Sequence, residues 1–126
     1  MLRLAVLFAV IIVAYDAVTA AIARAVGVSY NSFLVLALVL FFVMGVYAGR
    51  VVRSWAALLS VAIAAIADAT IGWYIAAWIG PGYVPGWTMR ILISLAIQSA
   101  LLATVLGAAG VWAGLGVAGA RRRISR

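Results

Sequence analysis

Four long apolar runs dominate the sequence, near residues 4–26, 32–50, 54–79 and 88–120. Each run is long enough to cross a hydrocarbon core about 30 Å thick, which requires roughly 20 helical residues. The chain is 70% apolar and only 9% charged, so too few polar residues remain to cover the surface of a soluble domain. The sequence therefore predicts an all-α membrane protein whose residues 1–126 form one bundle of four transmembrane helices.

The distribution of arginine predicts the orientation of this bundle. If the chain crosses the membrane four times, the N-terminus, the second loop and the C-terminus lie on one side. That side holds seven arginines, namely Arg3, Arg50, Arg53, Arg121, Arg122, Arg123 and Arg126. The opposite side holds Arg24 and Arg90. Because cytoplasmic loops carry the excess of basic residues, we expect both termini in the cytoplasm of a bacterial or archaeal cell.

The same arginines allow a second interpretation. Arg50, Arg53 and the cluster 121–123 can contact anionic lipid headgroups as well as set the topology. Nucleic acid is not an expected partner, because no aromatic residues or recognition element accompany the basic cluster. The bilayer itself is the partner that the composition implies.

The N-terminal run also has the outline of a signal peptide, with an arginine, an apolar stretch and small residues near Ala20. We expect it to be retained as the first helix, because a similar segment recurs later in the chain. The sequence contains no cysteine and no histidine. This composition excludes disulfides, thiol chemistry and histidine-based metal sites, and it identifies no particular cofactor.

Two hairpins with matching landmarks suggest an internal duplication. Tyr15-Asp16-Ala17 in the first run resembles Ala67-Asp68-Ala69 in the third. The second and fourth runs both carry Gly-Val-aromatic-Ala-Gly, at 45–49 and 110–114. Parallel repeats of this kind are a known membrane architecture. The aspartate and the glycine motif are farther apart in the second half, so chance similarity in an Ala- and Gly-rich chain is the alternative.

Asp16 and Asp68 are the only acidic residues, and both interrupt apolar runs. A carboxylate inside a bilayer is costly, so it must be paired, protonated or in contact with water. Both lie about 20 Å along their helices from the predicted cytoplasmic ends, and Gln98 of the fourth helix lies at a similar depth. Two neighbouring carboxylates cannot both ionise cheaply, so such a pair can take up and release a proton. These three residues form the candidate proton or cation site.

A purely structural role for the aspartates is the alternative. Each carboxylate could accept hydrogen bonds from a neighbouring helix or pair with Arg24 or Arg90, and so specify helix register. The arginines lie about 12 Å from the polar layer along straight helices. A direct ion pair would therefore need an arginine that extends inward.

Small residues predict close helix contacts. In the third run they recur every four positions around Asp68, a pattern that lets another backbone approach. The members are Ser60, Ala64, Gly72 and Ala76, and the glycine pairs are Gly45 with Gly49 and Gly110 with Gly114. These rows exceed what one small bundle needs, so we also expect a homo-oligomer or a membrane-protein partner.

Two functions remain open at this stage. The first is an oligomer that moves protons, cations or cationic solutes through a site built on Asp16 and Asp68. The second is a non-catalytic accessory or assembly subunit of a larger membrane complex. An enzyme is not expected, because the chain has neither a nucleophile–base pair nor a phosphate-binding glycine loop.

Overall fold

The computed structural model describes residues 1–80, 86 and 88–124, with side chains up to residue 117. All of its regular secondary structure in these residues is helical. The elements are α1 (Leu2–Val26), a 3-10 turn (Tyr30–Phe33), α2 (Leu34–Val52), α3 (Ala57–Ala67), a π-helical segment (Asp68–Gly72), α4 (Trp73–Ile79) and α5 (Met89–Ile124).

These elements make four continuous helical spans that are long and apolar enough to cross a membrane. The spans are Leu2–Val26, Tyr30–Val52, Ala57–Ile79 and Met89–Val117. The predictions of an all-α fold and of four apolar helices are confirmed. The limits of the helices lie within about one helical turn of those expected from the sequence.

Left-handed backbone conformations end two of the helices. Gly27 follows α1 with φ 74° and donates its N–H to the Ala23 carbonyl at 2.9 Å. Arg53 follows α2 with φ 55° and donates to the Gly49 carbonyl at 3.0 Å. Such caps satisfy carbonyl groups that the last turn leaves without a partner, which allows a short connection to the next helix.

The most extensive helix contact joins α2 to α5 at what we call the glycine crossing, formed by Gly45, Gly49, Gly110 and Gly114. A Cβ atom added to Gly45 would collide with the Gly107 carbonyl oxygen of the facing helix. One added to Gly110 would collide with the Phe42 carbonyl oxygen. The two backbones are therefore in direct contact, which only glycine at these positions permits.

The contacts at the glycine crossing are reciprocal. A Cβ on Gly45 would lie 3.0 Å from the Val111 nitrogen, and a Cβ on Gly110 would lie 3.0 Å from the Val46 nitrogen. The second glycine of each motif approaches the carbonyl of the same valines. The two Gly-Val-aromatic-Ala-Gly segments therefore pack on each other with a local two-fold relation.

The third span supplies small buried residues to the core. Ser60, Ala64 and Ala76 are all at most 1% exposed, and Gly72 is also buried. The Ser60 Oγ has no hydrogen-bond partner among the described residues. Larger side chains share the core cluster with Ala64, namely Phe8, Ile12, Phe41, Val61 and Val111. They come from α1, α2, α3 and α5, so the core joins all four spans.

Candidate functional site: a carboxyl pair beside an aromatic cavity

Asp16 lies on the buried face of α1 with only 1% of its surface exposed. Its Oδ1 accepts a hydrogen bond of 2.7 Å from the hydroxyl of Tyr30. Tyr30 begins the 3-10 turn that leads into α2, so the short connection after α1 folds this side chain back onto its own helix. A hydrogen bond to a charged acceptor is among the stronger ones in proteins, and this bond fixes the orientation of the carboxyl group.

The second oxygen of Asp16 lies against Gly72. A Cβ atom at Gly72 would occupy the position of Oδ2, so the carboxyl group fits only because this residue has no side chain. In the part of the chain that the structure describes, no donor reaches Oδ2. A buried carboxylate oxygen without a donor is costly, which makes a proton or a cation the natural partner for this atom.

Asp68 begins the π-helical segment of the third span. The segment ends where the N–H of Trp73 bonds to the Asp68 carbonyl, five residues earlier. Single π-helical turns within α-helices often occur at functional sites, because the extra residue changes the direction of the side chains. Here the segment brings Asp68 and Gly72 onto the face of the helix that meets Asp16.

The two carboxyl groups are neighbours at one cavity. Asp16 and Asp68 both line it, and a hydrogen bond would join the two groups when one of them carries a proton. The protonated carboxyl then donates and the ionised one accepts. A proton shared in this way would supply a further donor to the Asp16 carboxyl group.

A cavity of about 380 Å³ opens beside the pair. Asp16, Asp68 and Gln98 all line it, so the structure places the three residues of the predicted polar site around one space. The remaining walls are mainly apolar. They combine leucines and alanines with the aromatic residues Tyr15, Tyr30, Phe33, Phe41 and Trp73.

Residues of α1, α2 and α5 line the cavity, and of these three helices α1 and α5 are the pair that does not pack together within the described residues. The cavity separates Tyr15 and Asp16 of α1 from Gln98 of α5. Its exposed lining residues are Asn31, Leu34, Gln98 and Leu102. The mouth of the cavity therefore opens between the start of α2 and α5.

The cavity lining contains acidic but no basic side chains among the described residues. Arg24, which the sequence offered as a partner for the aspartates, instead donates from Nη1 to the Ile79 carbonyl at 2.8 Å. Arg90 is exposed near the start of α5. Any negative charge on the carboxyl pair is therefore not balanced by a basic group in the cavity wall.

Arg50 and Arg53, which the sequence assigned to topology or lipid contact, do not line this cavity. Arg50 and Arg53 are exposed at the end of α2. The side chains of Arg121, Arg122 and Arg123 lie outside the described part of the structure.

Sequence reasoning missed the aromatic half of the site. Tyr30 lies in a short connection, and nothing in its neighbours indicates that its hydroxyl turns inward to Asp16. In the sequence Tyr15 marks only a possible repeat, yet its hydroxyl donates to the Phe33 carbonyl at 2.8 Å and so connects α1 to the 3-10 turn. The available signal was the proximity of Tyr15 to Asp16 in sequence. It does not specify which way either side chain points.

The Tyr30 hydrogen bond can be tested by comparing Tyr30→Phe with Tyr15→Phe. Each change removes one hydroxyl donor, from the carboxyl group of Asp16 in the first case and from a neutral backbone carbonyl in the second. We expect Tyr30→Phe to lower the free energy of unfolding by about 1–3 kcal/mol and Tyr15→Phe by about 1 kcal/mol. The first loss is larger because a hydrogen bond to a charged acceptor is stronger than one to a neutral carbonyl. Denaturation with sodium dodecyl sulfate in mixed micelles measures both. An equal loss of stability in the two variants would contradict a charged Asp16 carboxyl group as the acceptor of the Tyr30 hydrogen bond.

Comparison of the chain with protein-family models, with curated proteins and with solved structures finds no match. The assignment of function therefore depends on the geometry of the site alone.

Proposed function

We propose that this is a small multi-pass membrane transport protein, in which Asp16 and Asp68 bind and release a proton, a small cation or a cationic solute. One observation carries the proposal: the two acidic residues of the chain meet beside a cavity that no basic side chain lines within the described residues. A structural pair of carboxylates would be expected to be satisfied by donors or arginines. Here one oxygen of Asp16 has no donor among those residues.

The chemistry of exchange follows from the pairing of like charges. Two carboxyl groups in contact retain one proton between them more readily than two separated groups do. A second proton or another cation can then neutralise the remaining charge. Since an uncompensated charge inside a bilayer is costly, the site favours the occupied states. Alternate loading from the two sides of the membrane would give transport.

The orientation and location of the protein belong to the same proposal. The arginine distribution supports an integral protein of a bacterial or archaeal cytoplasmic membrane, with both termini in the cytoplasm. Under this orientation the mouth of the cavity faces the outer half of the bilayer. We also propose a homo-oligomer, because one small bundle encloses little volume for a transport path.

Duplication of a helical hairpin is a further part of the proposal. The reciprocal contacts at the glycine crossing support it, since Gly45 approaches Val111 as Gly110 approaches Val46. The meeting of Asp16 with Asp68 on the other pair of helices is consistent with the same two-fold relation. An axis along the membrane normal would relate the halves.

The test is flux in proteoliposomes with the wild-type protein, Asp16→Asn and Asp68→Asn. We expect proton or monovalent-cation flux above empty liposomes for the wild type, and at least about a tenfold loss in each variant, because an amide cannot carry the exchanged charge. Thr70→Val is the matched control. Thr70 is exposed on the same π-helical segment, and its hydroxyl bonds to the Ile66 carbonyl of its own helix.

The oligomeric state of every variant must match the wild type in size-exclusion chromatography. Flux that survives both aspartate substitutions would contradict the proposal. So would the absence of wild-type flux for protons, sodium and potassium together with the absence of any cationic solute that is transported.

A non-catalytic accessory subunit is the second candidate function. One observation favours it: the most apolar 18-residue stretch of the Met89–Val117 span is only 11% buried, against 28–33% for the corresponding stretches of the other three spans. The free surface of α5 could then receive another membrane protein, and the aspartates would serve packing alone. On either proposal the protein is not an enzyme. Loss of co-purifying partners in the aspartate variants, with no flux in any form, would favour this candidate.

A further inference from the structure

We infer that the cavity beside the carboxyl pair binds an organic monocation with an apolar or aromatic body, and that binding displaces a proton from the pair. The inference depends on the proposed role of Asp16 and Asp68 as an exchange site. It goes further, because it selects the class of solute from the shape and the walls of the cavity.

The size of the cavity favours an organic solute. Its volume of about 380 Å³ is near the lower end of the roughly 300–1,000 Å³ typical of small-molecule sites. A proton needs no such space. A dehydrated inorganic ion needs oxygen ligands on all sides to replace its water shell, whereas most of this wall is carbon.

The walls favour a cation with an apolar surface. Aromatic rings attract cations through the negative electrostatic potential of their faces, and they also bury apolar groups. Tyr15, Tyr30, Phe41 and Trp73 bring such rings to the cavity from α1, from the 3-10 turn, from α2 and from α4. Two carboxyl groups supply the counter-charge at one end.

The charge balance favours a monovalent solute. The titratable groups that line the cavity are Asp16, Asp68, Tyr15 and Tyr30, and α5 contributes Gln98, which carries no charge. With one proton on the carboxyl pair and both tyrosines neutral, the site carries a single negative charge. One organic cation neutralises it. When the pair holds two protons, entry of the cation releases one of them, so that one positive charge leaves for each that enters.

The two aspartates have different accessibility and therefore different roles. Asp16 is buried, bonded to Tyr30 and packed on Gly72, so it serves as a positioning residue that holds the shared proton in place. Asp68 is partly exposed and lines the cavity. We assign Asp68 as the carboxyl group that contacts the cation.

The mouth of the cavity is suited to the same solute. Polar Asn31 and Gln98 lie beside apolar Leu34 and Leu102 at the exposed rim. Gln98 is about 14 Å along α5 from its first residue. The opening therefore extends along the helices, where a solute with both charged and apolar parts can partition.

The test uses the full-length protein in lipid nanodiscs, with benzyltrimethylammonium as the probe. Its binding is measured by calorimetry, and its effect on protonation is measured with a pH indicator in weakly buffered solution. We expect saturable binding and release of up to about one proton per protein. Sodium chloride at the same ionic strength and the anion benzenesulfonate should produce neither signal.

Two sets of variants separate the contributions of charge and ring. Asp68→Asn should abolish proton release and weaken binding at least about tenfold. Tyr30→Phe retains the ring and Tyr30→Leu removes it. Binding should therefore be about 2- to 30-fold weaker in Tyr30→Leu than in Tyr30→Phe. Tyr74→Leu is the control, because Tyr74 is 76% exposed and lies outside the cavity. If Asp68→Asn fails to fold, the comparison of Tyr30→Phe with Tyr30→Leu still tests the inference.

The outcomes distinguish this inference from the proposed function. Aspartate-dependent proton flux without binding of the probe overturns the inference and leaves the transport proposal in place. Binding without proton release, or binding that is equal in Tyr30→Phe and Tyr30→Leu, also overturns the inference. Saturable, Asp68-dependent binding with proton release supports it, even if no transport is observed. If neither flux nor binding of the probe is observed, both the inference and the transport proposal are overturned.

Discussion

Gly110→Ala is expected to lower the free energy of unfolding by about 3 kcal/mol or more. The added methyl group would collide with the Phe42 carbonyl oxygen and lie close to Gly45 Cα. These are backbone atoms of α2, and they cannot move away unless the helix moves with them. The largest helix contact of the bundle would then separate. Denaturation with sodium dodecyl sulfate, followed by circular dichroism, measures the effect.

Gly116→Ala is the matched control for this variant. It makes the same change in the same helix, but no atom lies within 4 Å of the added methyl group. We expect stability to stay the same or to rise by up to about 1 kcal/mol, since alanine favours the helix more than glycine does. Gly45→Ala should resemble Gly110→Ala because their contacts are reciprocal. Equal stability of Gly110→Ala and Gly116→Ala would show that the two backbones are not in contact.

Gly72→Ala is expected to abolish transport while the fold is retained. The added methyl group would take the place of Asp16 Oδ2, which is the end of a flexible side chain rather than backbone. The carboxyl group can therefore move toward the cavity, at a smaller cost in stability than in Gly110→Ala. This movement separates Asp16 from Asp68 and disturbs the Tyr30 hydrogen bond. We expect flux to fall about as far as in Asp16→Asn, although no ionisable residue changes.

A double-mutant cycle tests whether Gly72 acts through Asp16. In an Asp16→Ala background, the two closest atoms, Oδ2 and Cγ, are gone, and the methyl group from Gly72→Ala would lie 3.5 Å from the Cβ of residue 16, an ordinary contact distance. Gly72→Ala should then cost no further stability. A loss of stability as large in that background as in the wild type would contradict the proposed contact. Flux in Gly72→Ala equal to that of the wild type would contradict its role in positioning.

The helices were predictable because their signal is local. Apolar runs of about 20 residues can satisfy their backbone groups inside a membrane as helices, and the structure has helices in all four runs. The glycine motifs could also be identified from the sequence as places where two helices approach closely. The sequence did not predict that they pack on each other, because Gly-x-x-x-Gly in α2 is compatible with many partner helices.

The composition of the site was half predictable. A carboxylate in an apolar run stands out from its neighbours, so Asp16, Asp68 and Gln98 could be selected from the sequence. Tyr30 and Trp73 could not, because aromatic residues near helix ends occur for many reasons and only their direction matters here. The π-helical segment at 68–72 was also not predictable, since one additional residue in a helical turn leaves the apolar pattern nearly unchanged.

The sequence by itself determined that this chain forms four apolar helices with two acidic residues at similar depth, because helix formation and burial depend on residues close together in the chain. Only the tertiary structure decided that Asp16 and Asp68 line one cavity, that Gly72 makes room for a carboxyl oxygen and that aromatic rings form part of the cavity wall. These features depend on helix rotation and on which helices pair. Both are set by packing between residues far apart in the chain, and a change of a few ångströms there alters every contact at the site.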